Sequence, residues 1–408
     1  MVKIFSAKFK NYRYLFGIIL SIIGVTFSVY LNWLFPFVKW SPLIMSLSAI
    51  LMMNKNFFKI HFKYNKVLML IILYQLLMLL YGFLNVKGAM SSQYLSFHIY
   101  IIVLCLLYSS LDKNVFLERL PSFMFYSSLW SSVLGAFYCY KGYVVGEQAW
   151  LMRQDMDYFA LEPFTIASGA LTNLFAALLM EKEGKMSKIF MALGVFLDVY
   201  ILFSCEKRTP IFVTILGCII LFYRKGSLSQ KALFKILKVI PVIFFIMLLA
   251  YFNFDSFHEK VDGFVTNFFY GVLNLLGDTS VSDSTGSAME RVSSRTDAIN
   301  YIFSNFTFLN FIFGAGYMFK WLDAPLFEAY FDMGILGFLC YLYLIVWYPL
   351  RNIFWKNINK VQLLALLFAI YPMASCMNSG TPYMWNKYVA VCLLAYSLKN
   401  SNVKIKRR

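Results

Sequence analysis

The sequence predicts an all-α, polytopic membrane protein. Of its 408 residues, 60% are apolar and only 14% are charged, a balance too apolar for a soluble domain. Apolar runs of about 17–20 residues recur along the whole chain, and each is long enough to cross a bilayer core of about 30 Å as a helix. Aromatic residues, 19% of the chain, crowd the ends of these runs, as they do at membrane–water interfaces. We therefore expect about 12 transmembrane helices in one integral membrane domain, residues 1–408.

The predicted spans follow the apolar runs in order. The first follows a basic stretch and lacks a small-residue cleavage site, so we interpret it as a retained span rather than a signal peptide. Two spans begin with a proline in the first helical turn, Pro163 and Pro210. The predicted spans are 14–34, 36–53, 67–84, 94–111, 123–140, 163–180, 189–205, 209–223, 239–254, 326–348, 361–377 and 382–398.

The net charge of +17 is explained by membrane topology. Most of the 37 Lys and Arg residues fall in segments that lie on one side if the N-terminus is cytoplasmic. This distribution is the positive-inside bias, and it predicts that both termini are cytoplasmic. Nucleic acid is therefore not an expected partner.

Cysteine and histidine do not predict a metal or redox site. The seven cysteines lie in or beside predicted spans without paired spacing, so we expect them to pack as small apolar residues. Of the three histidines, His61 is expected in solvent, and His98 and His258 at interfaces. The chain also lacks a nucleotide-binding loop and a nucleophile motif. The sequence therefore predicts neither a metal nor any other cofactor.

Two short segments on the predicted outer side carry cations. The segment 141–162 places Arg153 among acidic residues, which fits either a solvated loop or a contact with substrate. The segment between the seventh and eighth spans contains Glu206, Lys207 and Arg208, against the charge bias. Snorkelling of Arg208 to the interface, pairing with Glu206 and a functional role all remain open for this arginine.

The segment 255–325 is predicted to be a long external loop with short helices. Its apolar and aromatic content argues against disorder, and a helix is expected to begin near 284–287. Arg291 and Arg295, four residues apart, share one face of that helix, where a phosphate would offset their repulsion. The acidic neighbours Glu290 and Asp297 offer a structural alternative. A Gly-x-Gly breaker and a Lys-Trp-x-Asp-x-Pro turn follow.

These features resemble the O-antigen and capsule polysaccharide polymerases, a family related to the O-antigen ligases. The resemblance is carried by the Arg153 loop leading to a Pro-started span, the CEKRTP turn, the run from Arg295 through FIFGAGY, and DAPLFEAYFDMGILG. Ligases carry a His–Asn pair eleven residues before the Gly of the last motif. Asp323 and Ala324 stand there in this chain, which favours a polymerase.

The resemblance implies transfer of a growing glycan from undecaprenyl diphosphate to the next lipid-linked repeat unit at the outer face of the bacterial inner membrane. Arg208 and Arg295 would neutralise the diphosphate, and Asp323 is the candidate base. Asp332 would lie deeper and need a partner, for which we expect a cation. Membrane lipids and a chain-length regulator protein are further implied partners. The residues expected to bind the diphosphate or glycan are Arg153, Lys207, Arg291, Lys320 and Trp321.

Two other functions compete with the polymerase. A lipid-linked oligosaccharide flippase fits twelve spans, but transporters use broken helices and pseudo-repeats, and the sequence indicates neither. An O-antigen ligase shares the fold.

Tyr317, Phe319 and Trp321 form an aromatic stretch near the start of the tenth predicted span. Its rings either stack on sugar rings of a substrate or pack inside the protein.

Overall fold

The structure is a computed structural model. It describes residues 2–35, 38–54, 57, 65–84, 90, 92–111, 117–144, 163–181, 184–205, 208–224, 249, 251–253, 255–275, 287–354, 358–377 and 379–405. No strand occurs among these residues.

The described residues form a series of helices, numbered here in chain order. The first eight are α1 (Val2–Leu34), α2 (Trp40–Met52), α3 (Lys66–Leu84), α4 (Ser92–Ser110), α5 (Leu120–Cys139), α6 (Pro163–Leu179), α7 (Gly184–Ser204) and α8 (Arg208–Arg224). They are followed by α9 (Asp255–Leu275), α10 (Ser287–Asn305), α11 (Phe308–Phe313), α12 (Pro325–Tyr341), α13 (Tyr348–Ile353), α14 (Lys360–Ser375) and α15 (Asn386–Ile405). A wider π-helical turn, Leu342–Trp347, joins α12 to α13.

Five described helices are long and apolar enough to cross a membrane. They are Tyr12–Asn32, Lys66–Leu84, Ser92–Ser110, Gly184–Ser204 and Pro325–Ile353. Four shorter apolar helices accompany them: Trp40–Met52, Phe164–Leu179, Thr209–Leu221 and Lys360–Ser375. The expectation of an all-helical membrane protein is confirmed at this level. Most of the predicted span 239–254 lies outside the described residues.

The chain divides into two compact units, residues 1–213 with 308–408, and residues 214–307. At the centre of the first unit, α14 and α15 run side by side and are buried on nearly all sides. A helix that is apolar around its whole circumference is stable only when other helices or lipid surround it. These two helices therefore form the core against which α1, α3, α4 and α6 pack.

The second unit contains α9 and α10, which contact each other. The predicted helix start near 284–287 is confirmed, because α10 begins at Ser287. The expectation of short helices in 255–325 is wrong for these two, which have 21 and 19 residues. On α9, His258 lies 3.1 Å from Asp262, and both side chains are about half exposed.

Most of the described cysteines pack inside the first unit. Cys105, Cys139, Cys205, Cys376 and Cys392 are buried as free thiols, as expected for small apolar residues. Two pairs come together from distant parts of the chain: the sulfur atoms of Cys105 and Cys392 are 3.5 Å apart, and those of Cys139 and Cys205 are 3.8 Å apart.

Candidate functional site

The helix α12 is broken in its middle. Gly334 has φ 65° and ψ −162°, outside the helical region. The break leaves the carbonyl groups of Phe331 and Asp332 available to the loop that follows α11. Ala315 N–H donates to the Phe331 carbonyl at 2.8 Å, and Gly316 N–H donates to the Asp332 carbonyl at 3.0 Å. Non-helical backbone is tolerated at membrane depth only when the protein satisfies its polar groups, and this loop does so.

Glycine is required on both sides of this crossing. A Cβ on Gly314 would lie 2.3 Å from the Asp332 carbonyl carbon, and a Cβ on Gly334 would lie 2.2 Å from the Ile312 carbonyl oxygen. Both glycines also have positive φ, which L side chains avoid. The Gly-x-Gly breaker and the Gly of the MGILG run therefore meet face to face. The sequence predicted no broken helix, and this prediction is wrong.

Two carboxylates lie just before the break. Glu328 and Asp332 are one helical turn apart on α12, and their side chains are 1% and 0% exposed. We call these two residues the carboxylate pair. Each binds one backbone N–H of the 314–324 loop: Leu322 N–H donates to Glu328 at 3.3 Å, and Phe319 N–H donates to Asp332 at 3.2 Å.

The carboxylate pair also binds the turn between α14 and α15. Thr381 donates its hydroxyl hydrogen to Glu328, and Tyr383 donates its phenol hydrogen to Asp332 at 2.6 Å. A buried hydrogen bond is costly to break because the freed group loses its partner away from water, so these bonds fix both chain segments to α12. The sequence-based expectation that a cation would partner Asp332 is wrong for these contacts, because a phenol and a backbone amide hold it instead.

A buried histidine continues this network. His98 Nδ1 is 2.6 Å from Gln75 Oε1, an acceptor, so Nδ1 carries the hydrogen and Nε2 accepts from the Tyr317 phenol at 2.8 Å. Burial raises the pKa of the Tyr317 phenol, which keeps it protonated as a donor. The Tyr317 ring lies 4.4 Å from the Tyr383 ring. The His98 side chain, which we expected at an interface, is fully buried inside the protein.

Replacing Tyr383 by phenylalanine tests how firmly the carboxylate pair holds the turn. The change leaves a buried carboxylate with one donor fewer, so we expect the free energy of unfolding to fall by about 1–3 kcal/mol. The matched control is Tyr341→Phe, because the buried Tyr341 hydroxyl has no hydrogen-bond partner in the described part of the chain. Thermal unfolding of both variants in detergent measures the difference; equal stabilities would contradict the assigned bond.

Three of the predicted site residues lie together on the 314–324 loop. Trp321 is 47% exposed, and its indole N–H donates to Asp323 Oδ1 at 3.3 Å. The same oxygen accepts from Gly380 N–H at 3.0 Å, and Asp323 has φ 52°, a conformation that Asp and Asn tolerate. Lys320 is partly exposed beside them. An exposed indole, a carboxylate and an ammonium group therefore share one anchored loop.

The aromatic stretch around this loop divides by burial. Tyr317 is buried against Tyr383, and the Phe319 ring lies 5.7 Å from the Phe331 ring. Both side chains pack internally. Trp321 is the member that presents a large surface outward.

The predicted cations are distributed over the two units. Arg208 begins α8, but its side chain lies outside the described part of the chain, as do Arg153 and Lys207 altogether. Arg291 and Arg295 lie on α10 in the second unit, four residues apart as predicted and both partly exposed. Both interact with other residues of the chain.

A second buried polar network joins α5, α6 and α7. Asp198 accepts from the Ser132 hydroxyl at 2.6 Å and from the Asn173 amide at 2.8 Å. Asn173 also donates to Ser132 at 2.9 Å and accepts from Ser128 at 2.7 Å. The network satisfies each of these groups, which stabilises the packing of three helices.

Sequence reasoning singled out Asp332 but missed Glu328, Tyr383 and the network around His98. Glu328 was readable as a second carboxylate one turn before Asp332 in an apolar run, which indicates function or pairing in a membrane. Tyr383 and His98 gave no such signal, because their partners are 51 and 219 residues away along the chain.

The fold and this site define the class: a helical membrane protein with a broken helix, a buried carboxylate pair beside the break, and an exposed loop anchored on that pair. No protein-family model matches the chain, and no curated protein sequence matches it.

Proposed function

We propose that this chain is a bacterial inner-membrane glycosyltransferase that polymerises undecaprenyl-diphosphate-linked oligosaccharide units at the outer face of the membrane. The proposal includes about 12 spans with both termini in the cytoplasm, as the apolar runs and the positive-inside bias predict. The growing glycan leaves its lipid diphosphate and joins a hydroxyl group of the next lipid-linked unit. A diphosphate is already a good leaving group, so the reaction needs charge neutralisation more than a general acid.

The observation that carries the proposal is the anchored loop with Lys320, Trp321 and Asp323. An exposed indole offers an apolar face on which a sugar ring can stack. The neighbouring carboxylate is a base for the acceptor hydroxyl, and the ammonium group attracts a phosphate. The carboxylate pair fixes this loop at its base, and catalytic groups need such rigid support.

Arginines are the proposed diphosphate-binding groups. Arg295, with Arg291 one turn before it, presents guanidinium groups suited to bidentate contacts with phosphate oxygens. Arg208 begins a helix on the predicted outer side and would approach the same diphosphate. Arg153 and Lys207 complete the proposed set of cations. A chain-length regulator protein is a proposed partner.

A lipid-linked oligosaccharide transporter is the second candidate. The broken helix α12 favours it, because discontinuous helices with nearby carboxylates form substrate and ion sites in many transporters. The two functions differ in what they leave behind when they are lost. A transporter mutant cannot export repeat units at all, whereas a polymerase mutant exports units and fails to join them.

The function is tested by deleting the gene and analysing the surface polysaccharide by gel electrophoresis. We expect the polymer ladder to disappear while a single repeat unit remains attached to its acceptor. Loss of every repeat unit would instead identify a transporter or a ligase, and an unchanged ladder would exclude all three functions. Purified protein in liposomes with the lipid-linked unit should form polymer without an ion gradient, which a transporter cannot do.

Asp323→Asn separates a catalytic carboxylate from a structural one. Asparagine keeps an acceptor oxygen for Gly380 N–H and Trp321, and it tolerates the positive φ, but it cannot take up a proton. We expect polymerisation to slow by about 100-fold with normal protein levels. Initial rates on the lipid-linked unit measure this effect.

Asp323→Ala provides the comparison, because it removes the acceptor oxygen as well and places alanine at an unfavourable φ. If Asp323→Asn retains full activity while Asp323→Ala loses stability, Asp323 only supports the loop and is not the base.

A further inference from the structure

A cavity of about 100 Å³ lies between α1, α6, α14 and α15. Its lining combines polar and apolar side chains. The polar ones include Tyr371, Ser375, Ser379 and Lys387, and the apolar ones include Val25, Leu171 and Phe175. Pockets between membrane helices with a basic group at one end suit a ligand with a charged head and an apolar chain.

Lys387 is the feature of this cavity that most needs an explanation. Among the residues whose burial the structure describes, it is the only buried Lys or Arg, with 5% of its surface exposed. Its ammonium group donates to the Ser375 hydroxyl at 3.2 Å and to the Ser379 carbonyl at 3.1 Å, and both acceptors are neutral. Buried charges are normally paired, yet within the described part of the chain this ammonium forms no ion pair.

The position of Lys387 in its helix also disfavours its positive charge. It is the second residue of α15, next to the positive end of the helix dipole, where cations are unfavourable. The first turn of α15 contains no acidic residue that would offset this charge. Glu328 and Asp323 attract Lys387 from a distance, but their hydrogen bonds go to Thr381, Gly380 and other groups.

Tyr371 provides a second group without a partner. Tyr371 lines the same cavity, and its buried hydroxyl has no hydrogen-bond partner among the described residues. A buried hydroxyl left unsatisfied costs free energy, so a ligand acceptor at this point would be stabilising. A phosphate oxygen accepts hydrogen bonds from both a phenol and an ammonium group.

We propose that this cavity binds the phosphate group of an amphiphilic ligand, with Lys387 as the counter-charge and Tyr371 as a hydrogen-bond donor. Lys387 and Tyr371 hold the phosphate, and apolar lining residues hold the start of the attached chain. Ligand binding at this site does not require the proposed glycosyl transfer. It can therefore be measured on the purified protein without any glycan.

The test uses the full chain purified in a maltoside detergent, with dodecyl phosphate as the probe and thermal unfolding and calorimetry as readouts. We expect dodecyl phosphate to raise the unfolding temperature with increasing dose, and dodecyltrimethylammonium, which has the same chain and the opposite charge, to have no such effect. If inorganic phosphate competes with dodecyl phosphate, the phosphate group alone is sufficient for binding. If it does not compete, the ligand is a phosphate attached to a lipid chain.

Three variants locate the site. Lys387→Met and Tyr371→Phe should each weaken dodecyl phosphate binding by about 10-fold or more, with the larger loss for Lys387→Met. Lys360→Met is the control, since Lys360 is exposed and pairs with Glu181 at 2.9 Å. It should bind the probe as the unaltered protein does.

Two results would overturn the proposal. The first is equal binding of the phosphate and the ammonium amphiphile. The second is unchanged binding by Lys387→Met or by Tyr371→Phe. If Lys387→Met fails to fold because it loses its hydrogen bonds to Ser375 and Ser379, Tyr371→Phe decides the question, since it removes only an unpartnered hydroxyl.

Discussion

Replacing Gly334 by alanine is expected to prevent the chain from reaching its native fold. The added Cβ would lie 2.2 Å from the Ile312 carbonyl oxygen and 2.6 Å from the Phe313 backbone nitrogen, and neither backbone atom can rotate away. Alanine at φ 65° adds about 1–2 kcal/mol of conformational strain. Overpacking against fixed atoms costs about 1–3 kcal/mol or more, so we expect a total loss of at least about 2 kcal/mol. Size-exclusion chromatography and thermal unfolding in detergent measure the folded fraction.

Gly184→Ala is the matched control. Gly184 has φ 79°, in the same left-handed region, but a Cβ there meets nothing within 4 Å. The control isolates conformational strain from steric overlap, and we expect it to cost about 1 kcal/mol and to leave the protein folded. Similar losses in the two variants would mean that the close crossing of α12 with the loop after α11 does not exist in solution.

Replacing Arg295 by alanine is expected to abolish polymer formation while leaving the protein in the membrane. In the proposed reaction, negative charge develops on the diphosphate as the glycan leaves, and a guanidinium group stabilises that charge most in the transition state. Removing one such donor lowers turnover by about 10³-fold. Arg295 is partly exposed on α10, so its loss does not empty a core position. The ladder of the deletion strain carrying the variant measures polymer length.

Two companion variants sharpen this prediction. Arg351→Ala removes an exposed arginine on the predicted cytoplasmic side and should leave the ladder unchanged. Arg295→Lys keeps the charge but loses the bidentate geometry, so shortened polymer is expected. A full-length ladder from Arg295→Ala, with the variant present at normal level, would remove Arg295 from the site.

Several local features were predictable from the sequence. The bounds of α3, α4 and α6 follow the apolar runs to within two residues, and α10 begins where polar capping residues precede a helical pattern. These features depend on neighbouring residues alone. The sequence also identified Lys320, Trp321 and Asp323 as members of one turn, and they do share one loop.

Other features of the candidate site were beyond sequence reasoning. The partner of Asp332 was expected to be a cation, but Tyr383 and a backbone N–H hold it. His98 was expected at an interface, but it lies buried between Gln75 and Tyr317. Hydrogen bonds of this kind join residues that are far apart in the chain, and hydropathy carries no information about them.

The sequence by itself determined the class of this protein, because a lipid bilayer accepts long apolar segments only as helices that satisfy their own backbone hydrogen bonds. Tertiary structure alone decided that α12 breaks at Gly334, since the break is stable only where a second backbone replaces the lost helical bonds. It also decided which groups donate hydrogen bonds to the buried carboxyl groups, and that the buried Lys387 forms no ion pair within the described part of the chain. Those outcomes depend on distances between helices, and a linear pattern of residue types does not specify them.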